Sequence, residues 1–247
     1  PVFPDSEQLH FRHRDLMESL SMDSPLGISE LTFTNLYCWE DKHTRISHFG
    51  ESLILSAHPF GKSPYLFPPL GNIDIPQFLE EWKTSNQQNP MTMRLVPESM
   101  LTHFSGMNIV EDRSNWDYVY LQEQLSTLQG RNFSKKRNLI HQFESRWPES
   151  QLVKIDNIHM LDLADFLIRW CSMRNCAEDE TKQREYKAII RCFENWEKLN
   201  CLGAGILIGG RMEAFTVGEP LSKDTFVIHF EKANPDFIGL YQVINQQ

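Results

Sequence analysis

The sequence predicts an α+β protein built of two units of similar size, and three observations carry that reading. Both halves interleave short β-branched or alternating runs with segments whose apolar residues recur every three or four positions, the marks of strands and helices respectively. "GAGILIGGRMEAFTVGEPL" reads as two antiparallel strands around Gly209-Gly210, a pair that supplies the positive φ angles of a two-residue hairpin turn. The halves join near residues 122–130, which gives units of 1–125 and 126–247. The order of elements is similar in the two, although no residue-level repeat underlies it.

In the first unit, residues 5–20 read as a helix capped by Asp5 or Ser6, with Leu9, Leu16, Met17 and Leu20 as its apolar positions. "ELTFTNLYCW" (30–39) is rich in β-branched and aromatic residues, and its spacing fits a strand and a helix alike. "TRISHFG" and "ESLILSAH" meet at Gly50-Glu51 as a hairpin. "SPYLFPPLGN" is a loop or sheet edge, because Pro64, Pro68 and Pro69 have no N–H for a ladder. Asp74 caps a helix over 74–88 that carries Pro76 in its first turn. A strand at 91–96, a helix near 97–105 and strands near 107–122 complete the unit.

In the second unit, "RNFSKKRNLIHQFESRW" (131–147) is helical, with Phe133, Arg137, Ile140, Phe143 and Trp147 near one face. "QLVKID" is a strand, and helices follow near 159–174 and 181–199; Phe166, Leu167 and Trp170 mark the buried side of the first. After the hairpin, "TFVIHFEKA" (225–233) is a third strand and "DFIGLYQVINQQ" begins a helix. That helix runs to the last residue, so the second unit is expected to be cut short at its C-terminal end.

Composition narrows the functional classes. Apolar residues make up 40% and charged residues 23%, a globular balance rather than a disordered one. The formal net charge of -9 argues against duplex DNA as a general partner, since such domains are usually basic. Five cysteines with no C-x-x-C pair fit neither a disulfide framework nor a zinc site, and they read as reduced thiols of a cytoplasmic protein. The histidines show no metal-ligand spacing. No apolar run approaches the roughly 20 residues of a membrane span, so no integral membrane segment is expected.

Against the acidic background, Arg131, Lys135, Lys136, Arg137 and Arg146 crowd one short segment. Such a run is either a solvated helix face or an anion site for phosphates. The strand "TFVIHFEKA" alternates, which places His229 and Glu231 on one face and Phe226, Ile228 and Phe230 on the other. Glu231 could serve as a general base or hold an ammonium group, or the pair could be a polar sheet edge. A zinc deaminase also uses H-x-E, but its P-C-x-x-C partner is missing. In the hairpin, Glu213 and Glu219 share a face, with Arg211 and Thr216 near; cleft lining and solvated strand positions explain them equally. "GAGILIGG" is no dinucleotide fingerprint, because Ile208 stands where a third glycine is needed and no helix follows.

The segments "ELTFTNLYCW", "YLFPPLG", "DYVYL", "LQGRNFSKKRN", "ILIGGRMEAFTVGEPL" and "VIHFEKA" resemble, in that order, an uncharacterised bacterial family. That family is similar to the C-terminal catalytic region of lysyl-phosphatidylglycerol synthases, and the resemblance runs from about residue 28 to the end. It implies two tandem GNAT-like (acyl-CoA N-acyltransferase fold) domains, an architecture shared with Fem-type aminoacyltransferases. It implies an acyl- or aminoacyl-transferase that takes aminoacyl-tRNA or acyl-CoA as donor and a small amine or hydroxyl as acceptor.

On this resemblance Arg137-Asn138 matches the Arg-Asn pair that opens the second domain of the synthases, and Lys135 and Lys136 match its basic approach. Arg131, Lys135, Lys136, Arg137 and Asn138 would then hold a phosphate-bearing donor. Glu231 and His229 would be the catalytic pair, and Glu213, Thr216, Glu219, Gly239 and Tyr241 would contact substrate. The stretch "EKANPDFIGLYQ" keeps Gly239 but carries Pro235, which lacks a donor, and Asp236, a negative charge, where a CoA pyrophosphate would sit. Asp236 reads instead as a helix N-cap. The alternative function is a catalytically inactive GNAT-like binding or interaction protein.

Overall fold

Each half of the chain is organised by a four-stranded sheet. The structure, a computed structural model, describes residues 1–23, 26–39, 43–85 and 92–247. It divides into one unit of Pro1–Asp117 with Pro220–Thr225 and a second of Tyr118–Glu219 with Phe226–Gln247. The mixed α+β class is as the sequence predicts.

In the first unit the sheet order is β1 (Glu7–Gln8), β2 (Arg45–Phe49), β3 (Ser52–Ala57), β4 (Tyr65–Leu66), all antiparallel neighbours. The hairpin at Gly50 forms as expected, with Phe49 opposite Ser52. Helix α2 (Phe33–Cys38) resolves the ambiguous stretch: the Thr32 hydroxyl accepts the Asn35 amide at 3.2 Å and caps it. Helix α3 (Ile75–Ser85) starts at Asp74, whose carboxylate accepts the Gln77 amide at 3.0 Å. Residues 86–88 of the expected helix lie outside the described residues. Phe3, Ile54, Leu66, Ile75, Phe78, Leu79 and Phe104 pack as a core between sheet and helix.

Three expectations need correction here. Residues 5–20 are not one helix: Glu7 and Gln8 pair with Ile46 and Arg45 as an edge strand, and α1 begins only at Arg14 (Arg14–Asp23). Ser6 is occupied as a sheet partner rather than a cap, its hydroxyl accepting Arg45 Nε at 2.8 Å. The expected strand at 91–96 is reduced, among its described residues, to a single bridge between Met93 and Leu66, and 97–105 forms a 3-10 helix over Glu98–Phe104. No strand forms within 107–122, where Ile109, Val110, Tyr118 and Val119 are exposed. β-branched and aromatic residues favour a strand only where a partner and a packed face exist.

The second unit has helices α4 (Gln122–Thr127), α5 (Ser134–Arg146), α6 (Met160–Met173), α7 (Glu180–Glu194), α8 (Trp196–Leu199) and α9 (Leu240–Gln246). Its sheet order is β5 (Gln151–Lys154), β6 (Leu202–Ile208), β7 (Arg211–Pro220), β8 (Phe226–Ala233). Alternation along β7 decides what covers each face. Ala214 joins Ile206, Ile208 and Ala233 under Phe143 of α5 and Leu240 and Ile244 of α9. Phe215 turns the other way and meets Phe166 of α6 and Phe193 of α7 edge-on, at 5.9 and 5.4 Å between ring centroids. The β6–β7 turn takes φ 57° at Gly209 and 77° at Gly210, as a primed turn demands.

The cysteine reading is corrected in part. Cys171 at the end of α6 is bonded to Cys176, with their Cα atoms 5.0 Å apart, inside the range a disulfide spans. Cys38, Cys192 and Cys201 are buried and keep their thiols, outside any disulfide. Five residues of separation in an odd set gave no spacing signal, because proximity here comes from the chain reversing after α6. Among the described residues no helix is long and apolar enough to cross a membrane.

Candidate functional site around Glu231

Glu231 on β8 is the point where helix α9 folds back onto the sheet. Asn245 Nδ2 donates to Glu231 Oε1 at 3.2 Å, and Tyr241 lies beside the same carboxyl. The two α9 residues are four apart, so helical periodicity puts both on the face that meets β8. Thr216 of β7 faces the carboxyl as well, with its hydroxyl buried. The positive charge of Lys136 on α5 is also felt at Glu231. Lys136 Nζ sits 5.7 Å from the Tyr120 ring centroid and 5.9 Å from that of Phe133, so its side chain leans over aromatic surface.

Burial pushes the Glu231 carboxyl above the ordinary glutamate value of 4.5, and Thr216, Asn245, Tyr241 and Lys136 counteract this only in part. Tyr241 is pushed upward by burial first and then by the negative charges of Glu231 and Glu185. A carboxyl whose burial favours the neutral form more than in an ordinary glutamate, with the Thr216 and Tyr241 hydroxyls beside it, is equipped to exchange a proton with a bound hydroxyl or amine.

The other residues singled out by sequence have different surroundings. His229 does not share its hydrogen bond with Glu231: His229 Nε2 lies 2.8 Å from Glu219 Oε1, and both side chains are buried. The Glu213 carboxylate accepts Arg169 Nη1 at 3.1 Å and Asn234 Nδ2 at 2.8 Å. Arg137 Nη1 donates to the carbonyls of Leu128 and Gly130, the second at 2.8 Å, and so ties α5 to the end of α4. Arg131, Lys135 and Asn138 are exposed.

Gly239 precedes α9 with φ +91°, and a Cβ there would stand 2.1 Å from the Leu139 carbonyl oxygen and 2.9 Å from its carbon. Only glycine lets the start of α9 approach the backbone of α5 this closely. Gly239, not Asp236, is the N-cap of α9, which corrects the capping expectation. The Asp236 amide donates to Asn234 Oδ1 at 3.0 Å, an Asx turn that takes up the chain reversal ahead of the helix.

The sequence reading therefore named four members of the cluster, Glu231, Thr216, Tyr241 and Lys136, and missed Asn245. The helical spacing from Tyr241 to Asn245 was the available signal. It also missed Arg169 and Asn234, for which no spacing signal exists, since their partner Glu213 is brought to them by the sheet. Two cavities open in the first unit and carry none of these residues. One of about 240 Å³ is lined by Gln8, His43, Arg45 and His58, and one of about 430 Å³ lies over Phe3, Phe49 and Ile73.

Residues 23–247 match the family described as phosphatidylglycerol lysyltransferase, C-terminal. The chain belongs to this family. Among solved structures, it is similar to a conserved protein of unknown function from Bacteroides thetaiotaomicron VPI-5482, with a TM-score of 0.89 and 26% identity over 98% of this chain and 84% of that one. It is also similar to the C-terminal domain of an Agrobacterium fabrum protein assigned as a lysylphosphatidylglycerol synthetase. There the TM-score is 0.55 and the identity 13%, over 95% of this chain and 75% of that one, a likeness of fold. No curated protein sequence matches. Membership of the lysyltransferase C-terminal family agrees with the resemblance read from the sequence segments and supports an aminoacyl-transferase lineage.

Proposed function

We propose that the protein is an acyl- or aminoacyl-transferase of the tandem GNAT class, with its reaction centre at Glu231. The observation that carries the reading is the half-buried Glu231 carboxyl, raised by burial, with Thr216, Tyr241 and Asn245 gathered around it. In this scheme an acceptor hydroxyl or amine docks between Thr216, Asn245 and Glu231 and attacks the carbonyl carbon of the donor ester. Its proton passes to the Glu231 carboxylate, and the ester oxygen leaves with its electron pair and takes up a proton in turn. A carboxyl raised toward the working pH is better matched to that transfer than an ordinary glutamate. The exposed Lys135 and Arg131, with Lys136 closer to the carboxyl, supply positive charge for the phosphates of a tRNA donor.

An acyl-CoA donor is the weaker choice. A pyrophosphate at the start of α9 would need free backbone N–H groups, and the Leu139 carbonyl is packed against Gly239 there. The same observation favours a second reading, a GNAT-like pair without catalysis that binds a nucleic acid or a protein.

The test is transfer from tRNA charged with radiolabelled amino acid to a panel of acceptors, including phosphatidylglycerol vesicles and small amines. The wild type is expected to transfer label to one acceptor class. Glu231→Gln is expected to lose on the order of 10² to 10⁴ of that rate, the usual span for a positioned base. Retention of the full rate by Glu231→Gln would refute the assigned centre. Absence of transfer to any acceptor, with tRNA still bound, would select the binding reading.

A further inference from the structure

Glu213 is a buried carboxylate that the proposed chemistry does not use, and its partners reach the reaction centre by another route. Arg169 of α6 donates through Nη1 to both Glu213 oxygens, at 3.2 and 3.1 Å, and through Nη2 to the Met212 carbonyl at 2.7 Å. Arg169 Nε is held by Asp165 at 3.0 Å. Asn234, itself buried, completes the set with Nδ2 on Glu213 Oε2 and its backbone N–H on the Glu213 carbonyl, both at 2.8 Å. Its other two polar atoms turn toward α9: Oδ1 accepts the Asp236 amide at 3.0 Å and the carbonyl accepts the Phe237 amide at 3.3 Å. Every polar atom of Asn234 is thus engaged, half of them with β7 and half with the turn that leads into α9.

We propose that Asn234, clamped by Glu213 and Arg169, is a positioning residue that fixes the β8–α9 turn and thereby seats Tyr241 and Asn245 on Glu231. The proposal rests on the Glu231 centre described above. Glu231 lies on β8 just before the turn that Asn234 opens, while Tyr241 and Asn245 lie after it, so the cluster closes only if the chain reverses at one angle. Two linked bonds at Asn234 set that angle, because its side chain cannot swing away from the Asp236 amide without also leaving Glu213. A serine or aspartate in its place would keep an acceptor for the turn, yet neither presents the amide donor that the Glu213 carboxylate takes.

The test uses readouts that need no substrate: the Glu231 titration midpoint, followed by carboxyl carbon NMR, and amide hydrogen exchange across residues 236–245. Asn234→Asp sets one carboxylate against another and breaks the link. The Glu231 midpoint is expected to fall toward the ordinary glutamate range as water reaches the carboxyl, and exchange in the turn to speed up on the order of tenfold. The reciprocal pair Glu213→Gln with Asn234→Asp restores one amide facing one carboxylate beside Arg169, and is expected to recover both readouts.

Gly209→Ala serves as a control that weakens the same unit, and it should leave the Glu231 midpoint where it is. If Asn234→Asp does not fold, Asn234→Ala removes the link without adding charge and carries the same two measurements. An unchanged midpoint and unchanged exchange in a folded Asn234 variant would overturn the proposal, as would a double variant no better than Asn234→Asp alone. Failure of the transfer assay would not alter either readout, so the two proposals fail separately.

Discussion

Replacing Gly239 by alanine should destabilise the second unit more than any other single methyl addition at its turns, and the reason can be worked through in numbers. The residue holds φ +91°, a conformation that costs an L-residue about 1–2 kcal/mol. The new Cβ would also stand 2.1 Å from the Leu139 oxygen, which belongs to a helix backbone and cannot swing aside as a side chain would. Relieving such a contact means moving α9 away from α5, and overpacking of this kind costs about 1–3 kcal/mol. The sum is about 2–5 kcal/mol. Gly209→Ala provides the comparison: φ is +57° there and nothing lies within 4 Å, so only the conformational part, about 1–2 kcal/mol, is expected. Urea unfolding followed by circular dichroism, with both variants beside wild type, separates the two contributions. Equal destabilisation by the two substitutions, within about 0.5 kcal/mol, would refute the close approach of α9 to α5 as the reason for glycine at 239.

Other outcomes follow from the same geometry. Glu231 is raised in the folded state, so the unfolded chain ionises first as pH rises; stability is then lost from about pH 4.5 upward to the folded value, and Glu231→Gln should stabilise the protein at neutral pH with no gain well below pH 4.5. Thermal unfolding of both proteins across pH checks this, and a constant difference would contradict it. Arg137→Ala should cost about 1 kcal/mol, because its guanidinium ties α5 to the Leu128 and Gly130 carbonyls, whereas Lys135→Ala should leave stability within about 0.5 kcal/mol and weaken tRNA binding most at low salt. Chemical unfolding and filter binding in a salt series distinguish them. Thiol labelling of denatured protein should reach Cys38, Cys192 and Cys201 without reductant and all five cysteines after reduction.

The parts of the fold that local patterning could express were legible. Gly209-Gly210 specified its hairpin through a backbone requirement that few other pairs meet, and Asp74-Ile75-Pro76 marked the start of α3 through a cap and a first-turn proline. Elements defined by distant partners were not. Glu7-Gln8 is a strand only because Ile46 and Arg45 lie beside it, and its helical spacing misled. The β-rich residues near 118–121 form no strand because no ladder partner reaches them. At the site, the alternation of β8 put His229 and Glu231 on one face of the strand, and that shared face suggested a His229–Glu231 pair. The structure gives His229 to Glu219 instead, since a side-chain pairing depends on the neighbouring strand and not on the strand's own periodicity.

Glu213 and Glu231 show why burial alone does not mark a reactive carboxylate. Glu213 receives hydrogen bonds from a guanidinium and from an amide, so its charge is compensated and its geometry fixed on both oxygens. Breaking such an arrangement leaves an uncompensated partner, which makes it rigid and chemically quiet. Glu231 has neutral donors beside it, Asn245 at 3.2 Å and the Thr216 and Tyr241 hydroxyls, and feels Lys136 as a charge. An acceptor that donates to Glu231 and binds only the folded state would stabilise the protein by mass action.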